Sequence, residues 1–213
     1  MKNMSKNNTG SRNYWEDLSS KIKTAVETKN KRPDTTEIEI DFLKDYVFKT
    51  DSLLDLGCGS GLITNQILPL VNNVIAVDKY EGFTKFVDEK AFVINAELVG
   101  FSMRKTFDKI LCTGVAQCFI KEEMINIYQN IFKMLKSDGI FISRMHCGIK
   151  ETITVDNYSE ELGRHYFAEY RQIDEEKKML YSLGYKNVEI HDFLPDSINV
   201  WDNSRHYYFI CKK

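Results

Sequence analysis

The stretch Leu53-Leu54-Asp55-Leu56-Gly57-Cys58-Gly59-Ser60-Gly61 decides how the rest of this 213-residue chain is read. An apolar run of strand length carries an acid and then breaks into alternating glycines. The pattern predicts a buried strand entering a tight turn, with a helix from Leu62 onward. Glycine tolerates left-handed backbone and puts no Cβ in the path of a ligand. A helix N-terminus just beyond offers free N–H groups. A nucleotide-like cofactor suits such a turn.

Outward from there, a second apolar run, Val74-Ile75-Ala76-Val77, ends in Asp78, twenty-one residues after Gly57. An acid at that place accepts hydrogen bonds from both hydroxyls of a ribose. The glycine spacing is G-x-G-x-G. The third glycine of the dinucleotide fingerprint would fall at Leu62, so a nicotinamide cofactor fits less well.

These residues resemble the class I S-adenosylmethionine-dependent methyltransferases, of small-molecule type, over the chain from about Asp51 to its C-terminus. Asp55, Gly57, Gly59 and Gly61 match the family's first motif, and Asp78 matches its ribose-binding acid. Phe107-Asp108-Lys109-Ile110-Leu111 matches the fourth strand, and Leu135 to Ile142 matches the passage from helix to fifth strand. The chain departs at Asn95, before Ala96, where the family often has an Asp facing the adenine amino group. The resemblance implies a cofactor site of Trp15, Asp55, Gly57, Gly59, Gly61, Asp78, Lys79, Asn95, Ala96 and Thr113. It implies S-adenosylmethionine as cofactor, S-adenosylhomocysteine as product, and no metal. It also implies a seventh strand that is antiparallel and lies beside the fifth.

The length suits one domain with a substantial core. Residues 1–11 are polar and rich in Asn and Lys, which predicts a disordered tail. Residues 12–213 then form a single methyltransferase domain with an N-terminal helical cap over about 12–48. A net charge of −2 argues against a nucleic-acid surface. No apolar run is long enough for a membrane, and no signal peptide is visible, so the expectation is a cytoplasmic protein. Five cysteines, Cys58, Cys112, Cys118, Cys147 and Cys211, form no C-x-x-C pair, which leaves no zinc or redox motif.

A helix is expected over Asn13 to Lys29, carrying Trp15, Leu18, Ile22 and Val26. A second is expected after a capping box of Thr36 and Glu39. Strands follow near 52–56, 73–77, 91–94, 107–112 and 139–145, with helices between them. The clearest helix is 121–136, with Asp138-Gly139 as its exit turn. A helix over about 169–183 and strands near 186–192 and 205–211 complete the chain. The alternation predicts an α/β fold, a Rossmann-like seven-stranded and mostly parallel sheet with helices on both faces and an antiparallel last strand.

In such a sheet the ligand lies outside the carboxyl ends of the parallel strands. That edge receives Arg144 and His146 from the fifth strand, and Arg205 and His206 from the start of the seventh. His146 and His206 are the candidate catalytic bases. Tyr14, Gln117, Arg144, Trp201 and Arg205 are the candidate acceptor contacts, the arginines for an anionic group. The long connections 147–168 and 193–204 are expected to be lid or specificity loops. His191, Tyr207 and Tyr208 read as structural, and His165, in the long connection, is uninformative. The Asp/Asn-Pro-Pro-Tyr motif of base-amine methylation is absent, the fourth strand ending Cys112-Thr113-Gly114-Val115. The reading is methyl transfer to N or O of a small polar metabolite, with phosphorylated amines and sugars as the classes to test. A protein or RNA methyltransferase and a non-catalytic S-adenosylmethionine-binding subunit are the alternatives. Nothing in the sequence speaks to oligomeric state.

Overall fold

A computed structural model describes residues 9–28, 34–160, 163–199 and 201–213. Its centre is a seven-stranded sheet built from β1 (Ser52–Leu56), β2 (Asn73–Asp78), β3 (Phe92–Asn95), β4 (Phe107–Thr113), β5 (Leu135–Gly148), β8 (Asn187–His191) and β9 (Ser204–Lys212). The order is β3-β2-β1-β4-β5-β9-β8. The first five strands pair in parallel, while β9 runs antiparallel between β5 and β8. The fold class and the place of the last strand therefore match the expectation.

Period-two alternation sorts the strand residues into two cores. Leu53, Val74, Ala76, Leu111, Ile142, Tyr208 and Ile210 pack on one face. Ile40 and Leu43 of α2 (Thr36–Lys44) and Ile67 of α3 (Thr64–Ile67) cover that face. Leu54, Val77, Ile110, Phe141 and Phe209 pack on the other. There Met124, Ile127, Tyr128 and Ile131 of α5 (Lys121–Met134) and Leu180 of α6 (Ile173–Ser182) meet them. Each such buried side chain contributes about 1.5–3 kcal/mol. Because both faces are filled, ligand space is left at the strand ends.

Several elements differ from the sequence reading, each for a local reason. The first helix, α1, is Thr9–Lys21, so it begins inside the expected tail, whose residues 1–8 lie outside those described. It also stops early. The Glu27 carboxylate accepts the N–H groups of Lys23 and Thr24, which starts a separate 3-10 turn at Ala25–Thr28 and leaves Val26 57% exposed. The capping pair of α2 sits one residue earlier. Thr35 donates its hydroxyl to Glu39, and Asp34 accepts the N–H of Thr36. The helix expected from Leu62 shrinks to α3, which gives way to a 3-10 turn at Leu68–Leu70, where Pro69 supplies no donor. Between β2 and β3 there is one turn of helix, α4 (Glu81–Thr84), and the β3–β4 connection has none. Asp138 and Gly139 are not a helix exit. Pairing jumps from Phe107 with Leu135 to Lys109 with Ile140, so these residues lie in a bulge of β5. Finally, 147–168 is not an irregular loop. It holds most of a β-hairpin, β6 (Ile153–Ser159) paired with β7 (Arg164–Tyr170).

Candidate active site

The glycine turn folds back across the end of β2. The N–H groups of Gly57 and Cys58 both donate to the Val77 carbonyl, at 2.7 and 3.1 Å. Gly57 has φ +77°, and a Cβ there would lie 2.4 Å from Val115, so no other residue fits. Gly59, at φ +54°, faces open space instead. The Asp78 carboxylate accepts the Gly59 N–H at 3.0 Å and the Tyr80 N–H at 2.9 Å, which fixes it against the turn. Burial pushes its pKa up, against the pull of those N–H groups. Asp55 accepts the Thr64 hydroxyl at 2.6 Å through Oδ2, while its buried Oδ1 has no partner. Burial raises its pKa to about 6. Lys79 pairs with Glu97 at 2.6 Å.

These residues line one end of a cavity of about 610 Å³. The other end is assembled from distant segments. It receives Tyr14 from α1, Glu39 from α2, Arg144 and His146 from β5, Tyr166 and Tyr170 from β7, Trp201 from the β8–β9 connection, and His206 from β9. His146 and His206 stack with ring centres 4.1 Å apart. Tyr170 lies 4.1 Å from His146, and Trp201 lies 5.0 Å from it. Burial, helped by the nearby Arg144 charge, lowers the pKa of His146 to about 4 and that of His206 to about 2. Both imidazoles are neutral at neutral pH, and His146 Nε2 and His206 Nδ1 have no hydrogen-bond partner. Gln117 donates to the Gly114 carbonyl at 2.8 Å, leaving its buried Oε1 unpartnered.

Arg144 meets Glu39 rather than the loop acids. Its Nε lies 2.9 Å from Glu39 Oε2, a charge contact and not an aligned hydrogen bond. Glu39 is 3% exposed and also accepts from Thr35 and Tyr208. The thiols are inert as nucleophiles: burial raises Cys118 to about 11 and pushes Cys58 higher still.

Four residues that the sequence assigns to the site fall outside the cavity lining. Arg205 is an acceptor contact by sequence, yet it pairs with Asp192 and Asp196, each at 2.6 Å. It neighbours His206 on a strand, so period two sends it the other way. Asn95 is tied down by donating to the Asp78 carbonyl and to Thr84, and Ala96 donates its N–H to the same carbonyl. Glu97 and Leu98 line the cavity in their place. Gly61 serves packing, since a Cβ there would lie 2.9 Å from Asn65 Oδ1. Tyr14, Trp15, Asp55, Gly57, Gly59, Asp78, Lys79, Thr113, Gln117, Arg144, His146, Trp201 and His206 all line it.

A family model described as a methyltransferase domain matches residues 54–143, which span the glycine turn, Asp78 and strands β2 to β4. Residues 54–143 are a methyltransferase domain. A search of the curated proteins finds no match. Among solved structures, the methyltransferase is similar to DhpI in complex with SAM and HEP. Identity is 12%, covering 99% of this chain and 100% of that one, with a TM-score of 0.73. It is similar to Haemonchus contortus phosphoethanolamine N-methyltransferase 1, in complex with phosphoethanolamine and S-adenosylhomocysteine. There identity is 18% over 94% of this chain and 47% of that one, with a TM-score of 0.74. It also resembles Burkholderia thailandensis 1,6-didemethyltoxoflavin-N1-methyltransferase, at 16% identity over 84% and 78%, with a TM-score of 0.66.

The methyltransferase's own residues fit the cofactor. The unpartnered Asp55 Oδ1, the open space beside Gly59 and the fixed Asp78 carboxylate lie around one end of the cavity. Lining residues that the sequence did not single out include Glu39, Glu97, Leu98, Tyr166 and Tyr170. For the two tyrosines a signal was present. Ile153-Thr154-Val155 and Tyr166-Phe167 are strand formers on either side of Gly163, a hairpin pattern. Among the described residues no helix is long and apolar enough to cross a membrane.

Proposed function

We propose that the methyltransferase transfers a methyl group to N or O of a small polar molecule whose reacting group faces His146 and His206. The observation that carries this is one continuous cavity. At one end stand Gly57, Gly59 and Asp78, and at the other the two imidazoles with their unpartnered nitrogens. When bound, the cofactor supplies a methyl group on a sulfonium that is its own leaving group. The chain aligns the acceptor and keeps water out. Asp78 holds the ribose, Asp55 takes a donor through Oδ1, and Trp15 with Tyr14 covers the site from α1. Tyr166, Tyr170 and Trp201 wall the acceptor. The cavity volume is of the size that small-ligand sites have.

A second, narrower reading is a phosphorylated amine. Arg144 favours it, because Glu39 holds its Nε edge while the side chain lines the cavity beside both histidines. The bound phosphoethanolamine of the Haemonchus contortus enzyme agrees with it. A screen with methyl-labelled S-adenosylmethionine against small amines, phosphorylated amines and nucleotide sugars tests both readings. Label in a small product is expected. Label only in protein or RNA from a lysate, or cofactor binding with no transfer to anything, would refute the small-molecule reading.

A further inference from the structure

The acceptor end of the cavity holds buried polar atoms without partners. Gln117 Oε1, His146 Nε2 and His206 Nδ1 are all buried there without a partner. The Gln117 amide is oriented by its own donation to Gly114, so Oε1 is the free atom. Buried polar atoms without partners are costly, and ligands satisfy them. A neutral imidazole has one acceptor nitrogen and one N–H, so each ring receives one donor. A neutral primary amine brings two N–H donors and still has a lone pair to aim at the methyl group. A hydroxyl brings one donor.

Among the described residues, the same end also lacks a strong base. No carboxylate there orients either imidazole as one does in a base-catalysed triad. The histidines are held by stacking between Tyr170 and Trp201, with the Arg144 charge beside them. Glu39 is committed to Thr35, Tyr208 and Arg144, and Asp34 to Thr36. The phenols of Tyr166 and Tyr170 and the thiol of Cys118 are pushed up by burial. An alcohol whose proton must leave during transfer finds no group matched to that task. An amine needs only to lose its proton to solvent beforehand.

We infer that the acceptor is a small amine entering as the free base, its two N–H groups received by Gln117 Oε1 and by an acceptor nitrogen of the stacked His146–His206 pair. This rests on the small-molecule reading above. The amine lone pair forms the N–C bond as the C–S bond breaks and its electron pair goes to sulfur. The alkylated nitrogen then releases its proton to solvent.

The test pairs amines with alcohols of the same skeleton: benzylamine with benzyl alcohol, cyclohexylamine with cyclohexanol, and 2-aminoethyl phosphate with 2-hydroxyethyl phosphate. Each is assayed with methyl-labelled S-adenosylmethionine, and S-adenosylhomocysteine binding is measured alongside. We expect at least one amine to exceed its alcohol tenfold or more in kcat/KM. We also expect kcat/KM to rise with pH, with a midpoint that moves from amine to amine with the amine's own pKa. Alcohols preferred over amines, a midpoint fixed across the series, or no amine methylated by protein that binds S-adenosylhomocysteine would overturn the inference. Label in alcohols leaves the small-molecule reading standing, whereas label confined to macromolecules removes that reading itself.

Discussion

The two ends of the cavity are built by different means. The cofactor end is local: a strand, a turn and the end of the neighbouring strand supply Asp55, Gly57, Gly59 and Asp78, joined by backbone hydrogen bonds. The acceptor end is a convergence of α1, α2, β5, β7 and β9, and it depends on side chains reaching across the fold. Arg171 shows how this works. It is 5% exposed, and its guanidinium donates to Glu176, to the Phe119 carbonyl and to the Ala116 carbonyl, at 2.6, 3.0 and 3.0 Å. It thereby ties the segment carrying Gln117 to α6 and to the hairpin carrying Tyr166 and Tyr170. Backbone geometry secures one end; buried charge and ring packing secure the other.

That contrast breaks most readily at Arg171. Replacing it by Ala leaves Glu176 buried and uncompensated, so Arg171→Ala should cost about 3–5 kcal/mol in stability by chemical denaturation. A loss below about 1 kcal/mol would show that the acceptor end is not held by this pair.

The two ends should also respond to pH with opposite signs. The folded Asp55 titrates near 6 against an ordinary 3.8, so between those values the folded state binds more protons, and stability falls as pH rises. His146 titrates near 4 against an ordinary 6.5, so in that window the unfolded chain binds more protons, and stability rises with pH. His206 adds the same sign. The Asp55 and His146 shifts each correspond to about 3 kcal/mol. Asp55→Asn should therefore steepen the loss of stability between about pH 6 and pH 4, and His206→Gln should flatten it. Denaturation midpoints against pH read both, and equal slopes in the two variants would refute the assignment.

A sharper comparison comes from binding. Asp78→Ala should weaken S-adenosylmethionine by about 1–3 kcal/mol, because ribose hydroxyls lose their acceptor. Calorimetry checks this, and unchanged affinity in a folded variant would remove Asp78 from the site. The smallest effect belongs to Arg205. Its pairs with Asp192 and Asp196 lie at the surface, outside the cavity, so Arg205→Ala should cost less than about 1 kcal/mol and leave methyl transfer intact. A large loss of activity would return it to the acceptor site.

The same contrast explains what the sequence made legible. Asp55 to Asp78 could be placed because strand periodicity and glycine spacing are properties of neighbouring residues. His146 and His206 could be placed because strand polarity sends their ends to one edge. Arg205 could not, since its one-residue offset from His206 reverses its side of the strand. Glu39 carried a helix-capping signal and none for the site. It sits among Ile40 and Leu43 on a helix, and only contact with Arg144 and Tyr208, more than 100 residues away, explains a buried carboxylate there. Arg171 is the same case: its partners are Glu176 and two backbone carbonyls that no motif announces.

The most direct test is a crystal structure of the protein with S-adenosylhomocysteine. The adenosyl group should lie across the Gly57–Gly59 turn, with its ribose hydroxyls within about 3 Å of the Asp78 carboxylate. The compound bound elsewhere, or seated with its ribose out of reach of Asp78, would contradict the assignment of this end of the cavity to the cofactor.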